Sequence, residues 1–235
     1  MISIITPVLN GGSFIEKTIK SISELQIPFE HIIVDGGSTD GTLEILDKYP
    51  NLKVLHQQNG KGMYHAIDLG FEKAEGEIFT WVNSDDIVLK DGYEKLYTAI
   101  IDSKCDVVFS DAFFINIQGK RIKTVKGKYF PKLLLKHGIF PFVQPSAVFT
   151  KNIYYQVGGF DWRNFKIVGD LDLFYKFSNL KGITFKKINA YSVEFLKYGE
   201  SLGDKNLALG TLERKRAKIP TPNLIIRIIN KILSF

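Results

Sequence analysis

The sequence predicts an α/β protein built on a doubly wound, mainly parallel sheet flanked by helices. Three observations carry that expectation. Short apolar runs rich in β-branched residues alternate with stretches of helical period through the first half of the chain. Three of those runs end in polar groups, at Thr6, Asp35 and Asn83, on what such a sheet makes a single edge. The composition, 45% hydrophobic against 24% charged over 235 residues, is that of a globular chain able to bury a sizeable core.

The elements follow in order. Ile2 to Leu9 is mainly apolar and β-branched, the mark of a buried parallel strand. In the turn Asn10-Gly11-Gly12-Ser13, Ser13 and Glu16 read as a capping box for a helix with Ile15, Ile19, Ile22 and Leu25 on one stripe. Pro28 stops it. His31 to Asp35 is a second strand, Gly36 to Thr42 a tight loop, and Thr42 to Tyr49 a short helix. Leu52 to His56 is a third strand, Gln57 to Gly62 a loop, and Tyr64 to Ala74 a helix. Glu77 to Val82 is a fourth strand that breaks into Asn83-Ser84-Asp85-Asp86. Asp91 to Ile101 is helical and Asp106 to Ser110 a fifth strand.

Beyond it, Ala112 to Ile117 and Arg121 to Val125 flank Gln118-Gly119-Lys120 as a hairpin, and Tyr129 to His137 is helical. Gly169-Asp170-Leu171-Asp172 opens a helix with Leu171, Phe174 and Phe177 buried. Asp204 to Lys218 reads as a helix ending in Arg214-Lys215-Arg216 and Lys218, broken by Pro220 and Pro222. Leu224 to Phe235 places Arg227, Asn230, Lys231 and Ser234 along one strip of an otherwise apolar helix. A dozen residues is too short to span a bilayer, which takes about 20. Two readings of this tail stand: a helix docked on the protein, or an interfacial helix on anionic lipid.

The chemistry centres on the acidic turn. Carboxylates after a strand suit a hard, oxygen-liking cation, Mg²⁺ or Mn²⁺, that also holds a diphosphate. The same residues equally suit a turn whose Asp or Ser caps the next helix. The glycine-rich loops lack a Gly-x-Gly-x-x-Gly fingerprint and a P-loop lysine pattern, so an NAD site or P-loop is not supported. One cysteine, Cys105, excludes an internal disulfide framework and a cysteine-based zinc site, and fits a reducing compartment. The first residues lack the basic region and cleavage site of a signal peptide. The net charge of +6 is compatible with anionic partners without choosing among them. Of the four histidines only His65 falls near a candidate site.

The segments Ile5-Thr6-Pro7-Val8-Leu9-Asn10, Ile33 to Thr42 (IVDGGSTDGT), and Gly76-Glu77 leading to Asn83-Ser84-Asp85-Asp86 resemble family 2 glycosyltransferases of the GT-A fold. Lys61-Gly62-Met63-Tyr64-His65-Ala66-Ile67-Asp68 is similar to a segment of the subgroup that builds bacterial surface polysaccharides (O-antigen, capsule, exopolysaccharide), with departures at His65 and Asp68. Gln144-Pro145-Ser146 and Gly158-Gly159-Phe160-Asp161 resemble acceptor-side segments. The resemblance covers about residues 1–200.

It implies a GT-A domain over 1–203, with a nucleotide-sugar half (1–111) and an acceptor and catalytic half (112–203), followed by a basic helical tail (204–235). It implies that Thr6, Pro7, Asp35, Lys61, Asn83, Ser84 and Asp85 bind the nucleotide-sugar, a UDP-sugar first. Asp85 and Asp86 are the implied ligands of Mn²⁺ or Mg²⁺, Asn83 standing where the family has an Asp. Asp170 is the implied catalytic base, or an N-cap, or both. Gln144, Ser146 and Asp172 are implied on the acceptor side, and Lys197 or Ser201 could close over the diphosphate.

The expected activity is inverting sugar transfer to a polysaccharide or lipid-linked oligosaccharide, with no nucleic-acid partner. The expected place is the bacterial cytoplasm, peripheral on the inner membrane face. The alternatives are a catalytically silent GT-A-like binding domain and a sugar nucleotidyltransferase. The latter needs a basic Gly-rich loop after the first strand, which Asn10-Gly11-Gly12-Ser13 does not supply.

Overall fold

A computed structural model describes residues 1–57, 61–198 and 206–232. Its nine strands form one sheet in the order β3-β2-β1-β4-β8-β6-β9-β5, with β7 paired to β6 off that path. β1 (Ile2–Val8), β2 (Phe29–Asp35), β3 (Lys53–His56) and β4 (Ile78–Trp81) are mutually parallel. Their crossovers are α1 (Ile15–Ser23), α2 (Thr42–Leu46) and α3 (Met63–Glu72). β1 and β4 are buried along their whole length, as expected of strands covered on both faces.

The second half continues the sheet. β5 (Ile87–Val88) is followed by α4 (Lys90–Ser103), β6 (Val107–Ile115) and β7 (Arg121–Val125). Then come α5 (Pro131–Lys136), a 3₁₀ turn at Gln144–Ser146, β8 (Ala147–Thr150) and α6 (Lys151–Gln156). α7 (Gly169–Asn179), β9 (Phe185–Leu196), α8 (Leu207–Arg216) and α9 (Leu224–Ile232) complete the chain. β8 runs antiparallel to both β4 and β6, β9 is parallel to β6, and β5 is antiparallel to β9.

That order forces the sheet to curl. β4 and β5 stand at positions four strand steps apart, roughly 19 Å across a flat sheet. Only Val82 to Asp86 separates them in sequence, and a turn closed by the Asp86 N–H to Asn83 O (3.1 Å) shortens that stretch. The β9–β5 end therefore bends back toward β4, and the acidic turn bridges the two halves of the sheet. A core of aromatic rings locks the halves together. Phe71 of α3, Phe79 and Trp81 of β4, Phe149 of β8, and Phe174 and Phe177 of α7 are all fully buried. Trp81 contacts Phe160 (5.3 Å between centroids) and Phe174 (6.3 Å). Truncating one such ring to Ala typically costs about 3–5 kcal/mol.

Several local expectations change. Ser13 does not cap α1: Phe14 holds the N-cap position, without a side-chain cap. Glu16 turns outward instead, accepting from Tyr49 Oη (3.0 Å) and pairing with Lys20 (3.1 Å). The fifth strand does not stop at Ser110 but runs through a bulge to Ile115, because Ser110 and Asp111 find internal partners. β5, β8, β9 and α6 had no sequence assignment. The boundary at 203/204 and residues Ser201, Ser234 and Phe235 fall outside the described residues.

Candidate active site

The carboxyl ends of β1 to β4 build one rim. Asn10 takes a left-handed φ of 54°, which its short amide tolerates. The loops after β1 and β2 are stitched by Asn10 N–H to Ser38 Oγ (2.9 Å), Thr39 N–H to Asn10 Oδ1 (2.9 Å) and Gly11 N–H to Thr42 Oγ1 (3.0 Å). Asp35 ends β2, 1% exposed. Its carboxylate accepts from the N–H of Gly37 (2.8 Å) and of Ser38 (3.2 Å), and His56 Nδ1 at the end of β3 lies 3.6 Å away. Sequence reasoning passed over His56; only the β2–β3 register, which sets Asp35 opposite it, brings the two together.

Thr6 and Pro7 lie inside the sheet rather than on the rim. Thr6 is fully buried, its Oγ1 2.9 Å from His31 Nε2. Burial pushes His31 down to about 3, so that imidazole is neutral. Pro7 is likewise buried.

In the acidic turn the two aspartates have different surroundings. Asp86 is 1% exposed. Its Oδ1 accepts from Leu196 N–H (3.1 Å), its Oδ2 from Asn83 Nδ2 (3.1 Å), and its carbonyl from Thr18 Oγ1 (2.8 Å). Burial and then the charge of Asp85 hold the Asp86 carboxyl well above the usual carboxylate range. Asp85 is half-buried and raised by burial alone. It lines a narrow cleft with Phe14, Lys17, Ile115 and Leu196. Asn83 Oδ1 is buried without a hydrogen-bond partner, and Ser84 gives its carbonyl to Thr18 Oγ1 (2.9 Å).

The fit of a divalent cation can be judged from these donors. No cluster of three or more His, Cys, Asp or Glu stands ready to hold a metal among the described residues. The turn offers one available carboxylate, Asp85, and the orphaned oxygen of Asn83. That oxygen-only set suits Mg²⁺ or Mn²⁺, which commonly takes one or two carboxylates and completes its shell with substrate phosphates and water.

On the opposite wall, α7 opens at Gly169, where an added Cβ would stand 2.6 Å from the Tyr64 ring. Glycine thus lets α3 and α7 approach closely. Tyr64 Oη lies 3.1 Å from Ile167 O and 3.2 Å from Asp170 Oδ1, sharing its proton between them. Asp170 Oδ1 also accepts from Leu171 N–H (2.7 Å). Asp170 sits inside the first turn while Val168 holds the cap position, so Asp170 is not the N-cap. Burial raises its carboxyl above the usual range against these hydrogen bonds. Tyr64, within a motif already noticed, is the partner that sequence reasoning left without a role.

The remaining candidates fall around this wall. Lys61 Nζ stands 5.8 Å from the Trp162 ring centre, which Arg163 (4.3 Å) and Lys166 (5.9 Å) also face. His65 packs edge-on to Trp162 (4.5 Å) and pairs with Gln57, whose Oε1 accepts from Nδ1–H (2.7 Å). Gln144, Ser146 and Asp172 are buried tethers. Gln144 Nε2 donates to Trp81 O (2.9 Å), Ser146 Oγ to Val143 O (2.7 Å), and Asp172 Oδ2 lies 2.6 Å from Lys176 Nζ. A larger cavity of about 350 Å³, lined by Asp111, Lys126, Tyr129, Lys187 and Tyr191, contains none of the expected site residues.

The glycosyl transferase family 2 model matches residues 3–171. Glycosyltransferase GlyG of Streptococcus pneumoniae is 35% identical over 118 residues, 48% of this chain and 39% of GlyG. Poly(ribitol-phosphate) beta-N-acetylglucosaminyltransferase TarS of Staphylococcus aureus is 32% identical over 141 residues, 57% of this chain and 23% of TarS. The chain thus spans well under two thirds of either relative.

The crystal structure of S. aureus TarS 1-349 in complex with UDP-GlcNAc superposes with a TM-score of 0.66, at 19% identity, over 87% of this chain and 60% of that one. Mannosyltransferase PcManGT from Pyrobaculum calidifontis, in complex with GDP-Man and Mn²⁺, gives 0.60 at 18% identity over 92% of this chain and 61% of that one. These likenesses establish the GT-A type of fold. The family match spans β1, Asp35, the Asn83–Asp86 turn and Asp170, and the chain belongs to glycosyl transferase family 2.

Proposed function

We propose that the chain transfers a sugar from a nucleoside diphosphate donor, a UDP-sugar first, to a hydroxyl of a glycan or lipid-linked glycan, with inversion. The observation that carries this reading is the Tyr64–Asp170 pair. Tyr64 and the Leu171 N–H hold Oδ1 of Asp170, and neither engages Oδ2. A sugar hydroxyl becomes a nucleophile only when a base within hydrogen-bond reach takes its proton, and a raised carboxyl pKa makes a better base.

In this reading Asp170 Oδ2 accepts the proton as the hydroxyl oxygen bonds to the anomeric carbon. The bond from that carbon to the diphosphate breaks, and its electron pair leaves on the nucleoside diphosphate. Asp35 and His56, with the stitched loops after β1 and β2, hold the nucleoside. Asp85 and Asn83 would hold a divalent cation, while buried Asp86 props the turn. A bound Mn²⁺ or Mg²⁺ supplies charge neutralisation at the leaving diphosphate. Lys61 lies where it can meet a phosphate or the donor sugar. Gln144, Ser146 and Asp172 serve the acceptor side indirectly, by fixing the carbonyl of Trp81 and the start of α7.

A donor panel tests the proposal. UDP-GlcNAc, UDP-glucose, UDP-galactose and GDP-mannose are offered with and without Mn²⁺, and release of nucleoside diphosphate is followed. Turnover of a UDP-sugar that depends on Mn²⁺ is the expected result. UDP binding without turnover of any donor would leave a silent binding domain, which the closed Asp86 and the Asn83 replacement favour. Sugar 1-phosphate release with pyrophosphate would indicate a nucleotidyltransferase.

The tail bears on where the acceptor is met. No helix among the described residues is long and apolar enough to cross a membrane. α9 is docked through Ile226, 7% exposed, and through Asn230 Oδ1, which accepts from Lys128 Nζ (2.6 Å). Asn230 therefore faces the protein rather than the outer strip assigned from spacing. Leu224 (73% exposed), Ile225 (67%) and Ile228 (51%) face outward, with Arg227 and Lys231 exposed beside them. We take this face to rest on anionic lipid. Replacing Leu224, Ile225 and Ile228 with Ser should lower binding to phosphatidylglycerol vesicles about tenfold or more, given ~1.5–3 kcal/mol per fully buried side chain. Donor turnover in solution should persist. Unchanged vesicle binding by the triple variant would remove the membrane role.

A further inference from the structure

α7 carries Asp170 yet has no side-chain cap of its own. The backbone N–H groups just before it are instead taken by a carboxylate from the tail. Glu213 of α8 is 3% exposed. Its Oε1 accepts from Lys166 N–H (2.8 Å), and its Oε2 accepts from Ile167 N–H (2.8 Å) and Val168 N–H (3.1 Å). One carboxylate thus satisfies three consecutive donors. It also places a negative charge at the positive end of α7, where such a charge is stabilising.

The approach is close. At Gly210, one turn before Glu213, an added Cβ would lie 3.2 Å from Ile167 Cγ2. Beside it, Arg214 donates to the carbonyls of Gly138 and Pro220, fixing α8 to the body of the protein. The segment is held from its other side as well, since Tyr64 Oη donates to Ile167 O and shares that proton with Asp170 Oδ1. Glu213 therefore fixes the N–H edge of the strip whose carbonyl edge is tied to the base.

We infer that Glu213 is the positioning residue for the catalytic base: it clamps 166–168 from the tail and sets the height and direction of Asp170 toward the acceptor hydroxyl. The inference rests on the proposed role of Asp170. It assigns to the tail a part in catalysis that is separate from any membrane contact, since α9 and its outward face are not needed for the clamp.

The test uses the full chain and three variants. Glu213→Gln keeps the size but brings an NH₂ against one of three N–H donors. Glu213→Asp withdraws the carboxylate by one methylene. Gly210→Ala pushes α8 against Ile167 without touching the carboxylate. Measured for each are the melting temperature, UDP affinity by calorimetry, and kcat and KM for UDP-GlcNAc turnover from pH 5.5 to 9. The expected result is a kcat lowered tenfold or more for Glu213→Gln, less for Gly210→Ala, with UDP affinity unchanged. The pH midpoint of the rising limb should also move, which a merely structural role would not produce.

Unaltered kcat and pH profile in folded Glu213→Gln would overturn the inference. If Glu213→Gln does not fold, Gly210→Ala decides alone, and a wild-type kcat in it is equally fatal. Should Asp170→Asn keep full activity, the base assignment fails instead; inactive Asp170→Asn beside fully active Glu213→Gln confines the failure to the clamp.

Discussion

Asp170→Asn is expected to lower sugar transfer by about 10²–10⁴, the usual cost of losing a general base. The change is confined to one atom. Asn keeps an oxygen at the Oδ1 position for Tyr64 Oη (3.2 Å) and Leu171 N–H (2.7 Å), so the start of α7 should stay in place. UDP affinity should remain within about twofold, because in the proposed arrangement the nucleoside meets the opposite rim. The pH dependence supplies a second signature. Burial raises the Asp170 carboxyl, so wild-type rate should climb as pH rises through that raised value and the base form appears. The variant's residual rate should lack that limb.

Stability should move the other way. A carboxyl with a raised folded-state pKa contributes stability below its unfolded pKa, near 3.9, and loses it as pH rises through the folded value. Asn does not titrate, so Asp170→Asn should be at least as heat-stable as wild type at pH 8. Loss of UDP binding together with activity, or survival of full activity, would each refute the base assignment.

The first half of the fold could be read from its residues because β1, β4 and most of β2 are continuous buried runs. Ile32, Ile33 and Val34 are all fully buried, so their pattern needs no knowledge of neighbours. The second half resists such reading. β9 mixes two lysines, an asparagine, a tyrosine and a glutamate with apolar residues, and its strand state comes from pairing with β6 and β5. β5 is two residues long and exists because Leu89 N–H finds Ser192 O (2.9 Å). β8 is hidden behind the Gln144–Ser146 turn, whose polar side chains suggest a surface loop but are spent internally.

The candidate residues can be named from the sequence, but their different surroundings cannot. Adjacent Asp85 and Asp86 look alike as letters. The Leu196 N–H, 110 residues away in sequence, together with Thr18 and Asn83, sets buried Asp86 apart from half-buried Asp85. Glu213 lay within a stretch whose basic residues dominate the sequence pattern; its partners are backbone groups, which leave no mark in composition.

Asp85→Ala is the complementary expectation, with a loss on the order of 10²–10³ in Mn²⁺-dependent turnover, comparable to removing one preorganised charge-stabilising group. The fold should survive. Asp85 is half-buried and raised only by burial, and the shape of its turn is set by Asp86 and Thr18 rather than by its own side chain. UDP affinity, tighter with Mn²⁺ in the wild type, should become indifferent to the metal, a calorimetric signature independent of turnover.

Asp86→Asn is the control for its neighbour. Asn keeps an acceptor for Leu196 N–H and lets the two amides at 83 and 86 pair, so metal dependence should persist. Asp86→Ala, by contrast, leaves the Leu196 N–H buried and unsatisfied, at about 1–3 kcal/mol. If Asp85→Ala turned over donor at the wild-type rate in micromolar Mn²⁺ while Asp86→Asn lost its metal response, the cation would have to be reassigned to Asp86 and the turn would have to open to receive it.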